Sequence, residues 1–139
     1  MLNKAKSILK DNAHRLVIIK GNNITTSDER GVKTLLDLLD GNTDFTGAYA
    51  ADKVVGKAAA SVYVLLGIKA LYSSVISEGA VAIIKENGIE LEYDELVPYI
   101  INRQGDGTCP MELAVGDERD PKAAVGKVRK KLEDLRNQK

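Results

Sequence analysis

The 139-residue sequence predicts an α/β domain, a three-layer α/β/α sandwich around a mixed sheet of roughly five strands. Two observations carry this. Short β-branched runs alternate with stretches of helical periodicity along most of the chain. One central segment, residues 53–66, is apolar on most sides and so needs cover on most sides.

Residues 2–11 place Leu2, Ala5, Ile8 and Leu9 on one helical face. His14 to Lys20 is a β-branched run and reads as a strand. Gly21-Asn22-Asn23 is a turn signal, and Ile24 to Thr26 forms the returning strand of a hairpin. Ser27 has the chemistry of an N-cap, with Asp28 and Glu29 in the first turn of a helix that runs to Asp40. Val32, Leu35, Leu36 and Leu39 share its apolar face, and Gly41 is placed to end it in a left-handed conformation. Phe45 to Ala51 reads as a buried strand.

Asp52 is placed to cap the helix from Lys53 to about Leu66. Its charges, Lys53 and Lys57, fall in the first two turns, where the macrodipole favours anions, so a compensating group is expected. Gly56 inside that helix costs about 1 kcal/mol against Ala. The cost implies a close approach, by packed backbone or by a ligand.

Lys69 to Ser77 is the next strand and Glu78 to Asn87 the next helix, stopped by Gly88. Ile89 to Val97 alternates as a half-buried strand, and Pro98 to Thr108 is a loop. Pro110 at a first helical position makes Cys109 an N-cap. Asp120-Pro121 starts a C-terminal amphipathic helix over 121–139, with Ala124, Val128, Leu132 and Leu135 inside. The length fits a single domain, 1–139.

Composition narrows function. Twenty Lys+Arg balance twenty Asp+Glu, which argues against a nucleic-acid or anionic-membrane partner. One cysteine excludes an internal disulfide and multi-cysteine metal sites. No apolar run has signal-peptide or membrane-span length, so the expected location is cytoplasmic.

Several residues carry candidate chemistry. Lys53 and Lys57, four apart, would share a helix face at the carboxyl end of a strand, where α/β proteins form pockets and anions bind. They also suit two lysines reaching solvent from a buried helix. Cys109 at a helix N-terminus would have a lowered thiol pKa and serve as a nucleophile; a small buried residue before proline is the plainer alternative. Asn102, Arg103, Asp106, Thr108 and Glu112 gather around one glycine-containing loop, and Glu112 is the candidate to pair with Lys53 or Lys57. His14, the single histidine, fits a strand-edge residue better than a triad member.

The run Ala51-Asp-Lys-Val-Val-Gly-Lys-Ala-Ala-Ala60, then Asn102-Arg103, then Gly107-Thr-Cys-Pro-Met-Glu112, resembles a small prokaryotic domain-of-unknown-function family assigned to the cytidine deaminase-like superfamily. The resemblance spans roughly residues 14–116 and implies an α-β-β-α-β-α-β sandwich, with the 28–40 helix as an addition. True deaminases hold zinc with motifs that align here on Val55-Gly56-Lys57 and Ile76-Ser77-Glu78-Gly79-Ala80, and every ligand is absent. Zinc-dependent deamination is therefore not expected, and neither a metal nor a cofactor is implied.

The expected function is a zinc-free deaminase-like domain binding a small anionic metabolite or nucleotide. Lys53 and Lys57 would contact the anion, with Asp52, Gly56, Asn102, Arg103, Thr108 and Glu112 lining the site. If chemistry occurs, Cys109 or Lys57 would carry it. The alternative is a non-enzymatic interaction or assembly module. Under that alternative a homodimer is the assembly considered.

Overall fold

In a computed structural model, described for residues 2–11, 14–29, 32–101, 105 and 107–137, the chain forms a five-stranded mixed sheet with helices packed on it. The described elements in order are α1 (Leu2–Asp11), β1 (Leu16–Lys20), β2 (Asn23–Ser27), α2 (Lys33–Asp40), β3 (Tyr49–Val55), α3 (Lys57–Leu66), β4 (Ala70–Ser77), α4 (Glu78–Glu86), β5 (Glu90–Val97), α5 (Pro110–Val115) and α6 (Pro121–Arg136). The strand order is β2-β1-β3-β4-β5. β1 runs antiparallel to β2 and β3, while β3, β4 and β5 are parallel, each joined to the next through a helix.

Side chains alternate across a strand, so the two sheet faces bury different residues. Val17, Ile19, Ala51 and Tyr72 pack against Ala5 and Leu9 of α1. Leu16, Ile18, Ala50 and Leu71 join the larger core, with Val62, Tyr63, Leu66, Ile83, Ile84 and Val128 from α3, α4 and α6. α3 lies at the centre of that core, which explains a helix apolar on most sides. No described helix is long and apolar enough to cross a membrane.

The alternation slips once along β3 and once along β4. Ala50 and Val55, five apart, share the larger core, as do Leu71 and Ile76. Within the slipped stretches the Ser73 hydroxyl donates to the Val75 carbonyl (2.6 Å), and the Val54 N–H donates to Asp52 Oδ1 (3.3 Å). The slip lets both Asp52 and Val55 turn toward α3.

Three boundaries differ from the local signals. The third strand is Tyr49–Val55 rather than Phe45–Ala51, because Asp52, Val54 and Val55 pair with Ser73, Val75 and Ile76 of β4. Asp52 is thus a strand residue and not a cap, Gly56 precedes the helix, and α3 starts at Lys57. Lys53 and Lys57 consequently do not share a helix face; one is on β3 and the other opens α3. The second helix starts at Lys33, not at Asp28, because Ser27 completes the β2 ladder opposite Leu16. The Ser27 hydroxyl instead accepts the Glu29 N–H at 3.2 Å. Gly41 ends α2 in an extended conformation, not a left-handed one.

The last helix starts at Pro121 as its sequence signals, but it ends at Arg136 and leaves Leu135, expected inside, exposed. Ser77 caps α4 by accepting the Ala80 N–H, and Asp120 caps α6 by accepting the Ala123 N–H. Gly67 ends α3 in the left-handed region, with φ of 76°.

Candidate functional site

The carboxyl end of β3 leads directly into α3, and the chain there is crowded. An added Cβ on Gly56 would lie 2.7 Å from Glu112 Oε1, so only glycine admits the carboxylate. Glu112, on α5, is buried and meets three donors. Its Oε1 accepts the backbone N–H of Lys57 in a short bond and lies 3.4 Å from the Ser77 hydroxyl. Its Oε2 accepts the Ile100 N–H at 3.1 Å. A buried carboxylate thus caps the first free N–H of α3, which is the compensation the two lysines called for. It is supplied to the main chain of Lys57, not to either ammonium.

The Lys57 side chain runs elsewhere. Its Nζ donates to the Gly116 carbonyl at 2.7 Å, at the far end of α5. Its stem lies over Gly79 so closely that a Cβ there would come within 2.5 Å of Lys57 Cε. Two glycines, one at the mouth of α3 and one in α4, therefore make room for the two sides of a single contact between α3 and α5.

Beside this contact lies a cavity of about 660 Å³, bounded by β1, α2, β3, α3, α5 and α6. Its wall is mainly apolar, with Val54, Ala59, Ile101, Met111, Leu132 and Leu135 among its residues. Asp52 brings a carboxylate to it, Arg15 and Lys33 bring positive charge, and Cys109 brings a thiol. Neither Arg15 nor Lys33 has an ion-pair partner among the described residues. That composition, apolar with a few convergent polar groups, is typical of small-molecule sites.

Asp52 Oδ2 accepts the hydroxyl hydrogen of Tyr63 at 2.6 Å. Tyr63 is fully buried in α3, and a buried phenol needs such a partner. Burial pushes the Asp52 carboxyl up to about 6; the Tyr63 hydroxyl, the Val54 N–H and the Arg15 charge oppose the rise. The same burial, with Asp52 beside it, raises Tyr63 well above the usual phenol range.

Of the residues expected at the site, Asp52, Gly56, Cys109 and Glu112 line this cavity. Lys53, Lys57 and Thr108 are not in its wall. The Lys53 N–H donates to the Arg15 carbonyl, and Thr108 pairs with Ile101 in an isolated bridge. Asn102, Arg103 and Asp106 lie outside the described residues. Cys109 is half-buried before the six-residue α5, and its side chain makes no capping bond. His14 stands just before β1 with Nδ1 2.7 Å from Asp28 Oδ1. The local signals passed over Arg15, Lys33 and Tyr63. A tyrosine in a helix destined for burial was a usable sign, since its hydroxyl had to find an acceptor.

A family model described as a domain of unknown function (DUF1893) matches residues 4–132. A crystal structure of a DUF1893 family protein, TM1506 from Thermotoga maritima, superposes with a TM-score of 0.86 at 30% identity, covering 94% of this chain and 88% of that one. No curated protein matches. The chain belongs to the DUF1893 family.

Proposed function

We propose that this DUF1893 domain is a zinc-free binding protein for a small anionic metabolite of nucleotide size, held in the cavity between β3, α2, α5 and α6. The observation that carries it is the cavity wall: a mainly apolar cleft of about 660 Å³ into which Arg15, Lys33 and Asp52 bring charge. Arg15 and Lys33 take the place first assigned to Lys53 and Lys57 as contacts for the anion. Glu112, spent on main-chain donors, shapes the wall without offering the ligand a free charge.

The element order supports the deaminase-like form of the fold, with α2 as the addition. The aligned zinc positions are then the junctions at Val55–Lys57 and Ile76–Ala80. Both are taken up by the Glu112 carboxylate and the Lys57 stem. Among the described residues no group of His, Cys, Asp and Glu could hold a metal ion, so the donor set does not fit zinc. Cys109 faces the cavity and is the residue through which covalent chemistry would proceed. Lys57, committed to Gly116, positions α5.

A thermal-shift comparison of wild type with Arg15→Ala, against nucleotides and sugar phosphates, tests the reading. A ligand at a hundred times its dissociation constant adds about 2.7 kcal/mol. The expected result is a rise of several degrees in wild type that Arg15→Ala abolishes. No rise with any compound would sink it.

A second reading, assembly into a homodimer, is favoured by Tyr93, Leu96, Tyr99 and Ile101, which stand exposed on and just after the edge strand β5. Light scattering tests it; a clean monomer at high concentration removes it.

A further inference from the structure

We infer that Asp52 selects the ligand, and that the ligand turns toward it an edge carrying two adjacent neutral N–H donors, as guanine does with its ring N1–H and 2-amino group. The inference rests on the cavity being a small-molecule site and names the chemistry that one wall of it reads.

Among the described residues three carboxylates line the cavity: Glu29, Asp52 and Glu112. Glu112 has its donors from the protein. Glu29 is exposed and accepts the Thr34 hydroxyl at 3.1 Å. Asp52 differs from both. It is only partly accessible, and the accessible part faces the cavity. It receives one good hydrogen bond, from Tyr63, and one long one, from the Val54 N–H at 3.3 Å; the Lys53 N–H also acts on it but donates mainly to the Arg15 carbonyl. A carboxylate offers about four acceptor positions, so about two remain for whatever enters.

The setting makes those positions selective. Apolar side chains, Val54 and Leu132 among them, surround the cavity, and an ionised oxygen there gains from each donor it receives. The carboxyl's elevated pKa comes from burial, which the Tyr63 hydroxyl, the Val54 and Lys53 N–H groups and the Arg15 charge offset only in part. A cationic ligand group would also satisfy Asp52, but Arg15, whose charge acts on Asp52, and Lys33, which lines the same cavity, would repel it. A neutral pair of N–H groups supplies two bonds without that repulsion. It also leaves both cations for an anionic group on the same ligand.

Two pairs of probes test this. GMP and IMP differ only in the 2-amino group, and isocytosine and 4-pyrimidinone differ in the same way without a phosphate. A hydrogen bond to a charged acceptor is worth roughly tenfold or more in affinity. The expected result is GMP binding at least tenfold tighter than IMP by calorimetry, with Asp52→Asn bringing the ratio close to one. Asparagine keeps an oxygen for Tyr63 but presents only one acceptor atom. If the variant folds poorly, the wild-type ratio still decides whether the ligand's 2-amino group is read. Equal affinities for GMP and IMP would overturn the inference and leave the cavity reading standing. Discrimination between the two pyrimidines without nucleotide binding would support Asp52 as selector and sink the anion site. Binding of none of the four would overturn the inference, and the wider thermal screen would then decide the cavity reading.

Discussion

Lys57 and Glu112 are bound to each other through the main chain and to α5 through opposite ends. The Glu112 carboxylate takes the Lys57 backbone N–H, while the Lys57 ammonium passes on to the Gly116 carbonyl, 2.7 Å away. The pair therefore fixes both ends of α5 to the start of α3. Because α5 forms part of the cavity wall, this contact sets the cavity's shape.

The glycine under Lys57 gives a direct measure of that contact. Gly79→Ala places a methyl against the Lys57 stem and displaces it from Gly116. The expected cost is about 1–2 kcal/mol, and it should largely vanish in a Lys57→Ala background. Urea denaturation of the two single variants and the double variant checks this. A cost that is unchanged without Lys57 would mean that Gly79 matters for another reason.

Glu112 is expected to be the more expensive residue. Glu112→Ala strips acceptors from the Lys57 and Ile100 N–H groups and from the Ser77 hydroxyl, at about 3 kcal/mol or more. Gly56→Ala, which pushes a methyl into the Glu112 carboxylate, should cost about 1–3 kcal/mol. Thermal unfolding would register both as large drops in Tm. A Gly56→Ala variant as stable as wild type would contradict the close approach.

Asp52 makes stability depend on pH in an unusual direction. Its folded-state carboxyl titrates near 6 against an ordinary value of 3.8, so the folded chain binds the proton more tightly than the unfolded one. The resulting penalty is absent below about pH 4, grows through the window from 3.8 to 6, and is fully present at pH 7. It amounts to about 3 kcal/mol at most, at 1.36 kcal/mol per pH unit. Wild type minus Asp52→Asn, followed by urea denaturation from pH 4.5 to 7.5, isolates the effect. The variant should gain relative to wild type as pH rises. A difference that stays flat would place the Asp52 titration elsewhere.

Cys109 reports on occupancy of the cavity it lines. Iodoacetamide labelling of the folded protein, followed by mass spectrometry, should slow several-fold when the cavity is filled by a ligand found in the thermal screen. Labelling at an unchanged rate with ligand bound would put the ligand elsewhere. A thiol that does not react at all at neutral pH would remove Cys109 as a nucleophile.

Most of the architecture was legible in local sequence. The hairpin around Gly21-Asn22, the helix start at Asp120-Pro121 and the apolar periodicity of α3, α4 and α6 are short-range signals, and each is realised in place. The misreadings fall where local and long-range preferences compete. Asp52 and Ser27 have good cap chemistry, yet each lies in a strand: the β3 ladder runs past Asp52 to Val55, and the β2 ladder ends on Ser27. A cap offers one hydrogen bond, and a paired strand offers many along with burial of Val55.

The site divides along the same line. Sequence by itself determined a mixed α/β sheet, a helix buried on most sides, a close approach required at Gly56, and a need for a compensating group at the start of α3. Only the tertiary structure decided that Glu112 is that group, that Lys57 reaches away from the cavity wall, and that Asp52, Tyr63 and Arg15 meet beside it. Backbone periodicity and capping are encoded within a few residues. The partner of a side chain 55 residues away depends on how β3, α3 and α5 are brought together, and no local pattern contains that distance.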